Sequence, residues 1–265
     1  MAVRQAIVLA VLAAVAGATA EPMSPPASEP RENVASLLQA YPDFLDRIEG
    51  NELIWKDGTR MPIDDGKPRK SLDAMLDEPD IKDMFSMLYP PGEKGLPPPV
   101  DFDPGRVRYA PLFKRMYGDC AAGDMMKNAA DVVWLPSRSG KKLKFTRINN
   151  AASALQQVAD ELDRLPASFL EYLVPSAGTY NCRAIAGTGR TSPHAFGIAI
   201  DIATAKSDYW LWSSRGTSGK IRYRNRIPWD IVTIFERHGF IWGGKWYHYD
   251  TMHFEYRPEM IATAR

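Results

Sequence analysis

Apolar residues recur at helical spacing in some segments of this chain and alternate in others, and the two patterns are interspersed. From Asn33, the positions Val34, Leu37 and Leu38 mark a short amphipathic helix that Pro42 stops. Leu53-Ile54-Trp55, followed by Lys56-Asp57-Gly58-Thr59, reads as a strand running into a turn. Leu72, Met75, Leu76, Ile81, Met84, Phe85 and Leu88 predict helix interrupted near Pro79. The clearest helix covers 150–165, where Ala151, Ala154, Leu155, Val158, Ala159, Leu162 and Leu165 form one stripe and Pro166 ends it. A further helix starts at Pro228, buries Ile231, Ile234 and Phe235, and ends at Gly239. Strand-like stretches are expected at 178–183, 197–203 and 253–256. Helices mixed with a few short strands predict an α+β domain.

The two ends of the pattern set the organisation. Arg4, the apolar run 6–15 and Ala18-Thr19-Ala20 have the order of a secretory signal, with cleavage expected near Ala20 and export to a periplasm or the exterior. The run is short for a bilayer span of about 20 residues, and no second one follows, so no stable membrane insertion is expected. Residues 21–32 are polar and Pro-rich, and Pro90-Pro91-Gly92 with Pro97-Pro98-Pro99 make a stiff connector. The expected divisions are a signal peptide at 1–20, an N-terminal extension with its Pro-rich connector at 21–105, and a main domain at 106–265. With 33 basic against 32 acidic residues, nothing in the overall charge favours nucleic acid or an anionic membrane. Cys120 and Cys182 are the only cysteines, which in an exported chain predicts one disulfide, the other reading being two buried thiols.

The chemistry concentrates near the C-terminal end. The chain has four histidines, and two of them sit beside carboxylates: His194 before Asp201, and His253 after Asp250. Two imidazoles and one carboxylate, His194, His253 and Asp201, make a three-ligand zinc set that keeps one position for water. Asp250, three residues before the last His, is placed to take a proton from that water. Ile198, Ile200 and Ile202 alternate with Gly197, Ala199, Asp201 and Ala203, so the face carrying Asp201 is small and is expected to leave room for metal and substrate. His194 and Asp201 are an odd seven residues apart, so they converge only if His194 lies on a bend, which Pro193 and Gly197 permit.

Ser192-x-His194-x-x-Gly197-x-Ala199-x-Asp201, then Asp250-x-x-His253-Phe254, resembles the pattern of the M15 zinc peptidases, and 239–246 looks like the stretch before the last ligand in their endopeptidase branch. These enzymes include D-alanyl-D-alanine carboxypeptidases, dipeptidases and L-alanyl-D-glutamate endopeptidases acting on bacterial cell-wall peptides. The resemblance spans roughly 150–257. It implies a hedgehog/D-Ala-D-Ala peptidase-like fold, a small antiparallel sheet flanked by helices with a single zinc site. It also implies one Zn2+ per chain on His194, Asp201 and His253, Asp250 as the base, and peptidoglycan stem peptides as substrate. Many members carry Glu at the base position, and Asp250 resembles the endopeptidase branch. The family's helper arginine finds its nearest match in Gly178-Thr179-Tyr180-Asn181-Cys182-Arg183, with Asn-Cys inserted, so Arg183 is the candidate and Arg190 its rival.

Two other functions are compatible with the same residues: a non-catalytic zinc-containing wall-binding module, and a peptidase of ordinary L-peptides. Elsewhere blander readings compete. His238 at a helix end reads as structural. His248 and Glu255 read equally as neighbours of the site and as surface residues, and Trp242 and Trp246 equally as groove and as packing. Ser192 reads as a turn residue, and the basic run 215–226 as a solvated loop.

Overall fold

The computed structural model describes residues 33–68, 70–92, 95–213 and 219–262. The signal expected over 1–20, the polar segment 21–32 and the start of the basic run lie outside the described residues.

The chain enters through a short helix, Ser36–Ala40, and a meander of β1 (Leu45–Glu49), β2 (Glu52–Trp55) and β3 (Arg60–Pro62), all antiparallel in that order. Leu53 pairs with Met61 and Ile48, so the strand read at 53–55 is the central one. The helix expected over 72–88 is realised only as Leu72–Asp77, started by the Ser71 hydroxyl accepting from Ala74 N–H. Beyond Pro79 a single 3-10 turn, Asp83–Phe85, takes its place. The reason is local: the Asp80 and Asp83 carboxylates each accept the other residue's backbone N–H, at 2.7 and 3.0 Å, closing the turn before a helix can propagate. Ile81, Met84 and Phe85 are buried all the same.

Next comes a hairpin the sequence reading did not include, β4 (Ala129–Trp134) against β5 (Lys141–Thr146). Its signal was present, since Leu143 and Phe145 alternate with exposed lysines. The helix Ala151–Asp163 packs on it. Its predicted stripe is the buried face, with Leu155, Val158, Ala159 and Leu162 fully enclosed. Gln156 ties helix to hairpin, accepting from Val133 N–H at 2.8 Å and donating to Val133 O at 3.1 Å.

The third sheet is β6 (Ala199–Asp201), β7 (Phe240–Trp242) and β8 (His253–Tyr256), antiparallel in the order β6-β8-β7. The helix Trp229–Arg237 backs it, with Pro228 as its N-cap and Phe235 stacked on Phe254 at 3.8 Å between centroids. β8 begins and ends where the sequence predicted. The stretch 178–183 is a correction: it forms no strand. Gly178 makes one bridge to Asp201, and Asn181 N–H then turns away to donate to His194 O at 3.2 Å. That segment is also tied sideways, because Cys182 is disulfide-bonded to Cys120.

One apolar core joins the regions on either side of residue 105. Val34, Leu37, Trp55, Ile81 and Phe85 share it with Leu155, Phe235 and Met260. Polar ties cross the same line: Tyr41 OH donates to Glu259 at 2.7 Å, and Tyr89 OH to Glu236 at 2.6 Å. No helix among the described residues is long and apolar enough to cross a membrane. The disulfide points to an oxidising, extracytoplasmic compartment.

The bridge closes a loop with a sequence separation of 62. Replacing both Cys120 and Cys182 by Ser is therefore expected to cost about 4 kcal/mol on the chain-entropy account. Urea unfolding measures this. An unchanged midpoint in the double variant would remove the bridge from the stabilising elements.

Candidate metal centre

The bend required by the spacing of His194 and Asp201 is built from Pro193 and Gly197. Pro193 opens a 3-10 turn, Pro193–Phe196, and Gly197 ends it in the left-handed region at φ 68°. A Cβ at 197 would also lie 2.2 Å from Met125 Cε and 3.2 Å from Thr146 N, so no other residue fits without displacing both. The chain then enters β6, whose last residue, Asp201, is the register partner of His253, the first residue of β8. Cross-strand partners share a face, so strand pairing supplies two of the three groups and the bend the third.

On the small face, the positions of Gly197 and Ala199 are themselves filled by protein. Met125 and Thr146 fill the side of Gly197, and Ala199 is fully buried. Ala199 is the register partner of Glu255, so its small side chain stands opposite that buried carboxylate and not opposite substrate.

The facing atoms are His194 Nε2, His253 Nδ1 and the Asp201 carboxylate. The two nitrogens are 3.3 Å apart; Asp201 Oδ1 is 2.8 Å from His253 Nδ1, and Oδ2 is 3.2 Å from His194 Nε2. Donor atoms from all three residues lie within 4.8 Å of one another. Each imidazole is held from behind. His194 Nδ1 meets Thr179 O, and His253 Nε2 meets Glu255 Oε1 at 2.9 Å. When both outer nitrogens donate to those oxygens, both inner nitrogens present lone pairs to each other and to a carboxylate. Such a set needs a positive charge at its centre, and its N,N,O composition suits zinc. The residues present therefore fit the metal the sequence implied.

Without a cation, a proton does part of that work. Burial pulls the His253 pKa down, but the hydrogen bonds to Asp201 and Glu255 outweigh it and raise it to about 10. Asp201 moves the other way: burial would raise its pKa, but the two imidazoles hold it well below the usual carboxylate range. Glu255, fully buried, is likewise held low, as Arg108 and His253 overcome the cost of burial.

Asp250 stands apart from this set. Its N–H donates to Gly243 O at 3.0 Å, and its carbonyl accepts from His253 N–H at 3.2 Å, which fixes it one turn before the ligand strand. Its Oδ1 is buried with no hydrogen-bond partner among the described residues. Burial pushes its pKa up to about 7, with the Asp201 charge adding and the His253 charge opposing.

Arg183 is not hydrogen-bonded to the cluster; it is exposed, and its Nη1 donates to Ala184 O at 3.2 Å. Its charge does reach Tyr209, which forms a β-bridge with Asp250: burial and Asp250 raise the Tyr209 pKa, while Arg106 and Arg183 lower it. Arg190 lies 3.7 Å from Asp77 and keeps a buried Nε without a partner. The other open readings resolve as follows. Glu255 is a direct partner of His253, and His248 is paired with Asp103 at 2.7 Å. His238 is bonded to Glu161 at 2.7 Å. Trp242 and Trp246 are packed, their Nε1–H groups donating to Thr251 O and Pro104 O. Thr179 and Arg108 were not anticipated. Thr179 acts through its backbone carbonyl, which leaves no mark in a sequence, and Arg108 is 147 positions from its partner Glu255.

Residues 186–256 match the family model of D-alanyl-D-alanine carboxypeptidases, an M15 peptidase model. The match bears out the M15 resemblance and contains His194, Asp201, Asp250 and His253. The family is generally metal-dependent. No curated protein and no solved structure gives a significant match to the chain.

The pKa shifts set a pH dependence for the metal-free protein. Asp250, raised from 3.8 to about 7, favours the folded state less as pH climbs through that interval. His253, raised from 6.5 to about 10, contributes fully below the first value and loses its contribution on the way to the second. In chelator, the melting temperature should therefore fall from about pH 5 to pH 9, and Asp250→Asn should flatten the lower part of that decline only. Thermal melts across pH test this. Superimposable profiles for the two proteins would refute the Asp250 shift.

Proposed function

We propose that this protein is an exported zinc metallopeptidase that hydrolyses amide bonds in peptidoglycan stem peptides, with Asp250 as general base. The M15 match supports a peptidase acting on peptidoglycan at the level of the family. The observation that carries the finer reading is the convergence of three lone-pair donors beside a buried, unpartnered Asp250 oxygen.

When held by His194, Asp201 and His253, zinc supplies a Lewis acid that polarises a carbonyl and acidifies water. The chain's own residues do the rest. Thr179 O and Glu255 keep both imidazoles from rotating, so the inner nitrogens stay on target. Asp250 accepts a proton as water adds to the scissile carbonyl. It returns that proton to the leaving nitrogen as the C–N bond breaks, which ends with a free carboxylic acid, whose own proton passes to solvent, a free amine and Asp250 in its starting state. Asp201, held strongly anionic, is unsuited to carry protons and serves as a ligand. Arg183, exposed and electrostatically linked to Tyr209 beside Asp250, is assigned to a substrate carboxylate. Asp at the base position resembles the endopeptidase branch and speaks against a pure dipeptidase, so the bond cut is that of a D-alanyl-D-alanine carboxypeptidase or of an L-alanyl-D-glutamate endopeptidase. Residues 1–20 serve export, in keeping with the disulfide.

The test is incubation of zinc-loaded protein with purified muropeptides and mass spectrometry of the products. Loss of terminal alanine identifies a carboxypeptidase, and separation of the first alanine from glutamate an endopeptidase. Asp250→Ala should retain zinc and lose on the order of 10²–10⁴ in turnover, while His253→Ala should lose both zinc and turnover. Intact muropeptides in the presence of bound zinc would contradict the enzyme and favour a wall-binding module.

A further inference from the structure

The groups that face the proposed metal all lie within 186–256, yet the support behind His253 reaches outside that segment. Residues 102–108 form an irregular strap against β8 and the turn before it. Phe102 O accepts from Tyr247 N–H at 2.9 Å, Pro104 O from Trp246 Nε1 at 2.7 Å, and Gly105 O from Arg257 Nη1 at 2.8 Å. Gly105 has φ 81°, a left-handed conformation that favours glycine, and a Cβ there would lie 2.5 Å from Ile241 Cδ1, so a larger residue would be strained and would push that side chain aside.

The strap delivers Arg108. Its Nε donates to Glu255 Oε2 at 2.9 Å and its Nη2 to Oε1, a two-pronged grip on one carboxylate. Its Nη1 donates to Arg106 O at 2.9 Å, and its Cζ lies 5.7 Å above the Trp246 ring. The guanidinium is thus fixed in plane and from one face. Glu255 passes the constraint on, because the same Oε1 meets His253 Nε2 at 2.9 Å. On the far side Arg257 stands 3.5 Å from Glu255 Oε2 and pairs with Glu259, which accepts from Tyr41 OH at 2.7 Å.

We infer that Arg108 and Glu255 are positioning residues of the metal centre. Arg108 fixes the Glu255 carboxylate, Glu255 holds the His253 Nε2–H, and Nδ1 is thereby the nitrogen presented to His194 and Asp201. The centre is then completed by a segment that precedes the M15-like region, and residues 102–108 belong to the working site. A buried ion pair serving the fold alone would predict no effect on metal binding once the protein is folded. The inference rests on the metal reading above, and its test separates the two.

Zinc affinity of the full chain is measured by competition with a chromophoric chelator, and folding by the melting temperature of the metal-free form. Arg108→Ala and Glu255→Gln should each weaken zinc binding by about 10–100-fold, the usual effect of losing such a partner. Arg108→Lys should fall between them and the parent, since an ammonium cannot reproduce the two parallel bonds. Arg115→Ala, which removes an arginine stacked on Trp55, should leave affinity unchanged. If Arg108→Ala does not fold, Arg108→Lys and Glu255→Gln decide the matter. Folded variants with parent-like zinc affinity would overturn the positioning role alone. A parent protein that takes up no zinc would overturn the metal reading and this inference together.

Discussion

Two imidazole nitrogens and a carboxylate, held together by strand pairing and one tight bend, form an electron-rich cluster that calls for a positive charge at its centre. That arrangement is unfavourable by itself, because the lone pairs repel and each group has lost solvent. Much of the surrounding structure opposes its collapse. The β6–β8 register sets Asp201 against His253, and Gly197 turns His194 into place. Thr179 O and Glu255 occupy the outer nitrogens, so neither ring can rotate to relieve the repulsion. A cation is the natural partner of such a cluster, and the raised pKa of His253 records the same demand.

The supporting charges follow from this. Glu255, Arg257 and Glu259 are all fully buried around β8 and the helix that follows it. Buried ion pairs seldom add net stability over apolar packing, since desolvation consumes most of the attraction. What they fix here is direction, because each carboxylate is gripped from two sides and the chain of contacts runs from His253 out to Tyr41. Asp250 contrasts with them. It is half-buried with its Oδ1 enclosed and without a hydrogen-bond partner among the described residues, and desolvation pushes its pKa up to about 7. Glu255 holds His253 from behind, and Asp250 is the carboxylate left less satisfied.

How much of this was legible in the sequence depended on how local its cause was. β8, the stripe of the helix Ala151–Asp163 and the bend at Pro193–Gly197 were readable because side-chain period or backbone chemistry fixes them within a few residues. The helix expected past Pro79 failed because two aspartates capped each other's backbone, a competition that apolar spacing does not register. The strand expected at 178–183 failed because Asn181 N–H donates to His194 O and Arg183 O accepts from Ser192 N–H, bonds to the following loop and not to a strand. Ala199 was read as making room for substrate, and the structure sets it opposite Glu255. Arg108 could not be found by pattern at all, since its meaning arises only when the strap is folded onto β8.

The account is tested most directly by a crystal structure of the zinc-loaded protein with anomalous difference maps at the zinc edge. It predicts a single strong peak bonded to His194 Nε2, His253 Nδ1 and Asp201, with Glu255 still on His253 Nε2 and Asp250 outside the coordination shell. A peak elsewhere, or one bonded through His253 Nε2 with Glu255 displaced, would contradict it.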